Sequence, residues 1–214
     1  MRRFAPIALA VAFGASSFAQ SGAPSASSLA ARLQQRYNTI HDFTASFTHV
    51  EQDGFRPQKT TETGQVKIKK PARMRWTYGG SKNEMIADGT LVYWCDRANR
   101  SVDESVIPTG SDVSTAILFL AGKGDLVKDF HATLAPVQPA SGWRLDLVPT
   151  STHAEFTSLS LMVDRDLKLT GFEAVDAQGA TQTFTFTNLK ENVGLPDSDF
   201  SFSPPHNFDV HFIK

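Results

Sequence analysis

The chain has 214 residues, with 21 Lys and Arg against 22 Asp and Glu, and a formal net charge of −1 at pH 7. That balance argues against a general nucleic-acid binder, because phosphate contacts need a positive field. With 41% hydrophobic residues and a single cysteine, the chain has enough apolar side chains for a core but no internal disulfide to hold it.

The first residues read as a leader. Arg2 and Arg3 precede an apolar run from Ile7 to Phe13, and the small residues Ser17 and Ala19 stand just before Gln20. Charged, apolar and small-residue regions in that order mark a secretory signal. The apolar run is far shorter than the roughly 20 residues that span a bilayer. Residues 1–19 are therefore expected to be a signal peptide, 20–27 a flexible lead-in rich in Ser, Gly, Ala and Pro, and 28–214 a single domain. No cysteine lies near the cleavage point to accept a lipid anchor, so the expected product is soluble and outside the cytoplasm.

Ser28 is a candidate cap for a helix running to about Asn38, with Leu29, Leu33 and Tyr37 on one face. Period 2 then takes over. "DFTASFTHV" sets Phe43, Ala45 and Phe47 against threonine and serine, and "ETGQVKI" sets Gly64, Val66 and Ile68 against Gln65 and Lys67. In "ARMRWTY", Met74, Trp76 and Tyr78 alternate with Arg73, Arg75 and Thr77. Pro71 before this strand predicts an edge, bend or bulge. Asp88-Gly89 signals a hairpin into "TLVYWCD", a run apolar on both faces, where Cys95 reads as a buried thiol or, alternatively, an intermolecular bridge.

"DVSTAILFLAGKGDL" breaks the alternation. Ser114 can cap it and Gly122 can stop it, which predicts a short helix apolar nearly all round, with "DLVKDF" adding a further turn. Alternation then resumes at Trp143, Leu145 and Leu147, at Leu159, Leu161 and Val163, at Phe184 and Phe186, and at Phe208, Val210 and Phe212. Turn chemistry falls at "VDRDLKL" and "VDAQGAT". About eleven strands at hairpin spacing predict a mainly β fold, an antiparallel barrel or strongly curled sheet with a few helices. Helices over the mouth of such a sheet would cover an apolar cavity. A well-filled core fits the same pattern.

The chain carries no G-x-S-x-G, G-x-G-x-x-G or P-loop. Its six histidines form no H-x-x-x-H pair, and Asp209 with His211 near the chain end is a poor ligand set. Asp164, Asp166 and Asp176 suit turns, and Glu173 suits the wet face of a strand. No catalytic residues, metal or cofactor are expected.

The run "GQVKIKKPARMRWTY" followed by "MIADGTLVYWCD" resembles the LolA family of periplasmic outer-membrane lipoprotein carriers. The likeness rests on Gly64, Lys70-Pro71, Arg75-Trp76 with Tyr78, Asp88-Gly89 and Tyr93-Trp94. It extends to "DFTASFTH", "VSTAILFLAGKGDLVKDF" and "FSFSPPHNFDV" in the same order. The resemblance implies an unclosed antiparallel β-barrel, with the N-terminal and central helices as a lid over a hydrophobic cavity. It implies a periplasmic, monomeric carrier. Its partners would be lipoprotein acyl chains, an inner-membrane ABC lipoprotein exporter and an outer-membrane lipoprotein acceptor.

Residues expected to line such a cavity are Leu33, Phe47, Met74, Trp76, Tyr78, Ile117, Phe119, Leu120, Leu161, Val163, Phe184 and Phe186. Lys70 stands where well-known members have an arginine that latches the lid, so it is the latch candidate; Lys offers a point charge, not a planar fork. Met74 replaces an aromatic and His49 a glutamine of the family pattern. Arg73 and Arg75 are expected on the opposite face, toward solvent or an acidic partner. Other readings are a carrier of another lipid or glycolipid, or a lipid-sensing regulatory module of the same fold.

Overall fold

The alternating segments lie side by side in one sheet in the computed structural model, which describes residues 24–56, 58–107, 120–122, 124–151 and 156–213. Helix α1 (Ala26–Asn38) comes first, then β1 (Asp42–Gln52), β2 (Lys59–Lys69), β3 (Arg73–Tyr78), β4 (Glu84–Asp88), β5 (Leu91–Asp96) and β6 (Ser101–Val106). After them come β7 (Phe130–Leu134), β8 (Gly142–Pro149), β9 (Ser158–Asp164), β10 (Leu169–Val175), β11 (Thr181–Glu191) and β12 (Asp209–Phe212). The spatial order is β12-β6-β5-β4-β3-β2-β1-β11-β10-β9-β8-β7. The two ends do not pair with each other, so the sheet is curled but open.

Among the described residues twelve strands stand where about eleven were expected. β6 and β7 carry too little alternation to stand out: only Val102 in β6 and only Phe130 in β7 are fully buried. The sheet is antiparallel except at one end, where β12 runs parallel to β6. The helix begins earlier than expected, because Ser25, not Ser28, is its N-cap; the Ser25 Oγ accepts from the Ser28 N–H at 3.2 Å. Ala26 and Ser27 are thus helical and not part of a flexible lead-in. The predicted signal peptide lies outside the described residues, as does the predicted central helix between its Ser114 cap and Leu120, and with it Ile117 and Phe119.

Both faces of the sheet carry apolar side chains, in unequal amounts. The larger core sits on the inner face and gathers Leu29 and Leu33 of α1 with Phe43, Phe47, Met74, Trp76, Leu161, Phe172 and Phe184. A smaller cluster on the outer face holds Ile86, Tyr93, Cys95 and Val102, with Phe202 and Phe208 packed on it. That division explains why β5 is apolar on both sides. Val92 and Trp94 belong to the inner core, and Tyr93 and Cys95 to the outer cluster.

The outer face of β2 and β3 is not left to solvent or to a partner. The chain returns across it through residues 192–208. Asp42, 5% exposed, accepts from the backbone N–H of Val193, Gly194 and Leu195 and so turns the chain after β11. The 3-10 turn Asp197–Phe200 then meets the basic residues. Lys69 pairs with Asp197 at 2.6 Å, Lys67 with Asp199 at 3.0 Å, and Arg73 approaches Asp197 at 3.7 Å. Arg75 donates to the Ser201 carbonyl at 2.8 Å and lies 3.5 Å from Glu84. The expected docking face for an acidic partner is therefore filled by this chain's own acidic turn. The closing strand departs too: Val210 and Phe212, expected on a dry face, are 48% and 56% exposed, and Phe208 alone packs.

Candidate functional site

The inner core has an aromatic floor. Gly64 makes it possible: a Cβ there would lie 2.5 Å from the Phe47 ring, so only glycine lets that ring lie across β2. Phe47 meets Trp76 at 5.2 Å, Tyr78 at 5.2 Å and Phe184 at 5.8 Å between ring centroids. Phe172 stacks on Phe184 at 4.7 Å. His49 stacks on Phe184 at 4.1 Å with the rings 6° from parallel. Burial holds the His49 imidazole below its ordinary pKa, against the opposing pull of Glu51 and Glu62. Two polar atoms of the floor, His49 Nε2 and Trp76 Nε1, are buried without a hydrogen-bond partner among the described residues.

Beside this floor an apolar cavity opens between α1 and the β9–β11 part of the sheet. Helix α1 contributes Leu33, Arg36 and Tyr37, the segment leading into β1 contributes Ile40, and β1 itself contributes Phe43. Leu120 and Leu126 close another side, and Leu161, Val163, Leu169 and Leu189 form the sheet wall. Among the described residues the cavity encloses about 40 Å³. That holds a few waters and no acyl chain.

One ion pair sits on this apolar lining. Arg36 donates to both carboxylate oxygens of Glu191, at 3.0 and 2.8 Å, and its Nε donates to the Leu167 carbonyl at 3.1 Å. One nitrogen, Nη2, spans both oxygens, a charge-assisted contact that joins the helix to β11.

Lys70 lies at the C-terminal end of α1. Its Nζ donates to the Tyr37 carbonyl and stands 3.4 Å from the centroid of the Tyr37 ring. The Tyr37 hydroxyl donates to the Leu120 carbonyl, and the Ala72 N–H donates to the Ala121 carbonyl at 2.8 Å. Gly122, at φ +83°, passes so close that a Cβ would come within 2.9 Å of the Lys70 side chain. The β2–β3 turn, the end of α1 and the segment Leu120–Gly122 are thus tied at one point. Burial lowers the Lys70 pKa to about 8 and pushes the Tyr37 phenol well above its ordinary value.

Of the residues singled out in the sequence, Leu33, Leu120, Leu161 and Val163 meet around the cavity. Phe47, Met74, Trp76, Tyr78, Phe184 and Phe186 lie in the adjoining core and do not line that space. Sequence reasoning missed Arg36, Ile40, Leu169, Leu189 and Glu191. The i, i+4 face of Leu29, Leu33 and Tyr37 pointed toward Ile40 at the helix exit. Arg36 and Glu191 are 155 residues apart and carried no joint signal.

A family model described as "Outer membrane lipoprotein carrier protein LolA" matches residues 38–203. A protein of Bordetella avium named outer-membrane lipoprotein carrier protein is 29% identical over 175 residues, covering 80% of this chain and 81% of that one. One of the same name from Ralstonia nicotianae is 30% identical over 151 residues, covering 70% and 69%. Among solved structures, a DUF1329 family protein from Desulfovibrio piger has a TM-score of 0.51 at 13% identity, covering 82% of this chain and 95% of that one. At that identity the likeness is one of fold.

Proposed function

Since this chain belongs to the LolA family of outer-membrane lipoprotein carrier proteins, we propose that the cavity beneath α1 is where it takes lipoprotein acyl chains. The protein is a lipoprotein carrier. In the proposed cycle an inner-membrane ABC exporter loads the cavity and an outer-membrane acceptor empties it. The carrier works as a monomer in the periplasm, residues 1–19 having been removed as a signal peptide.

The observation that carries this reading is an apolar cavity closed almost to nothing by a helix and a tied-down segment. Burying acyl chains is worth about 0.8 kcal/mol per CH₂. The closed space must widen to earn that energy, and the same movement reversed expels the cargo. Lys70 is the latch in this scheme, because its contacts join the three parts that would have to separate. Ile117 and Phe119 are proposed to face the chains alongside Leu33, Leu120, Leu161 and Val163. Phe47, Met74, Trp76, Tyr78, Phe184 and Phe186 become lining as the cavity widens onto the aromatic floor.

The test is release of a lipidated substrate from proteoliposomes that contain the exporter. The wild-type protein is expected to bring substrate into the soluble fraction one to one. Retention of all substrate in the membrane, under conditions where an established carrier releases it, would remove the carrier cycle. Trp76→Ala is expected to stay folded by circular dichroism, about 3–5 kcal/mol less stable, and to recover less substrate. Unchanged release by that variant would take Trp76 out of the cavity.

A further inference from the structure

Trp76 is the one tryptophan of the chain that is fully enclosed: it is 0% exposed, whereas Trp94 and Trp143 are half-buried. Its ring packs against Phe47 at 5.2 Å, Phe184 at 5.1 Å and Phe186 at 6.1 Å. These neighbours are aromatic hydrocarbons and offer its indole N–H no oxygen. Nε1 has no hydrogen-bond partner among the described residues. A buried tryptophan ordinarily finds one, and leaving a buried donor unpaired destabilises the fold. Phenylalanine would supply aromatic bulk here without that cost. His49 Nε2 is also unpaired, but His49 is only half-buried and a small shift exposes it to water. Trp76 has no such recourse.

We infer that the Trp76 indole N–H is a cargo contact, the donor that receives an acyl carbonyl oxygen when the cavity is filled. This rests on the carrier reading above and goes further than an apolar cavity. An all-hydrocarbon lining selects chains by length and bulk alone. A single donor inside it selects chains joined through an ester or amide over chains joined through an ether. The indole is covered, so the donor becomes available only as the lining parts.

The experiment compares two ligands that differ in one oxygen, 1-monopalmitoylglycerol and 1-O-hexadecylglycerol, by calorimetric titration of the full mature chain. The wild-type protein is expected to bind the ester about tenfold more tightly, the worth of one hydrogen bond whose donor is otherwise unpaired. In Trp76→Phe the ester-to-ether ratio is expected to fall to about one, whatever the variant's absolute affinity. The three tryptophans give three indole N–H resonances, which provides a readout in the unaltered protein. The Trp76 resonance is expected to move downfield with the ester and not with the ether. Equal affinities in the wild type, an unmoved resonance, or a preference that survives Trp76→Phe would each overturn the assignment while leaving the carrier reading intact. Failure of both ligands to bind would overturn the two together.

Discussion

Position 70 carries a lysine where an arginine would keep its charge at every pH, and the difference is one of titration as much as of shape. Burial lowers the Lys70 pKa from 10.5 to about 8. Between those values the unfolded chain holds a proton that the folded one has released, so stability rises with pH across that window. Below about pH 8 the amine is charged in both states and the full cost of burying it is felt. In Lys70→Arg the charge never leaves, and the planar fork adds directed donors toward the end of α1. The difference in melting temperature between wild type and Lys70→Arg, measured from pH 7 to 10, is expected to move in favour of the wild type as pH rises through about 8. A flat difference would mean that the Lys70 amine is not buried in solution. The residue type at position 70 could be read from the sequence, and so could its place before Pro71. Its perturbation could not, because the burial comes from Tyr37 and Gly122, which lie 33 and 52 residues away along the chain.

Elements were legible where one face is dry and the other wet. In β1, β3, β8, β9 and β11 the buried large apolar residues are ones that alternation selects, whereas Asp42, Gly142 and Ser160 are buried out of phase with it. β5 was ambiguous because it separates two cores, and a period cannot assign faces when both are apolar. The acidic return over the outer face was hidden for another reason: ion pairs between distant segments leave no periodic trace. Removal of residues 197–214 is expected to unpair Lys67, Lys69 and Arg73 and to uncover the outer cluster around Cys95. The thiol, 0% exposed and raised in pKa chiefly by burial, is expected to resist a disulfide reagent in the full chain and to react in the shortened one. Equal protection in both would show that the return segment is not what covers it. The pair joining α1 to β11 makes a separate point. Glu191→Gln removes the charge from the contact with Arg36 yet is expected to cost no more than about 1 kcal/mol, since the pair is partly solvated. The exchange rate of a bound fluorescent fatty acid is the quantity expected to rise, because the helix loses its fixed position over the cavity.

At the scale of the molecule, an open sheet suits the proposed widening of the cavity. Its outermost strands, β12 and β7, are not hydrogen-bonded to each other, so the curl can loosen without breaking a ladder. A closed barrel of the same strands would have to give up backbone hydrogen bonds for each increment of width. The architecture also sets when the fold can form. Phe47 of β1 sits opposite Phe186 of β11, and Ser101 of β6 opposite Asp209 of β12. Pairings between such distant segments are slow to find, because loop closure must be met before any contact rewards it. A chain still emerging from synthesis or export can build the β2–β5 meander but cannot cover its aromatic floor until residues beyond 180 have arrived. During that interval the surface destined to hold cargo is open to the apolar segments of neighbouring chains, so the assembly of this carrier is itself a stage at which it requires shielding.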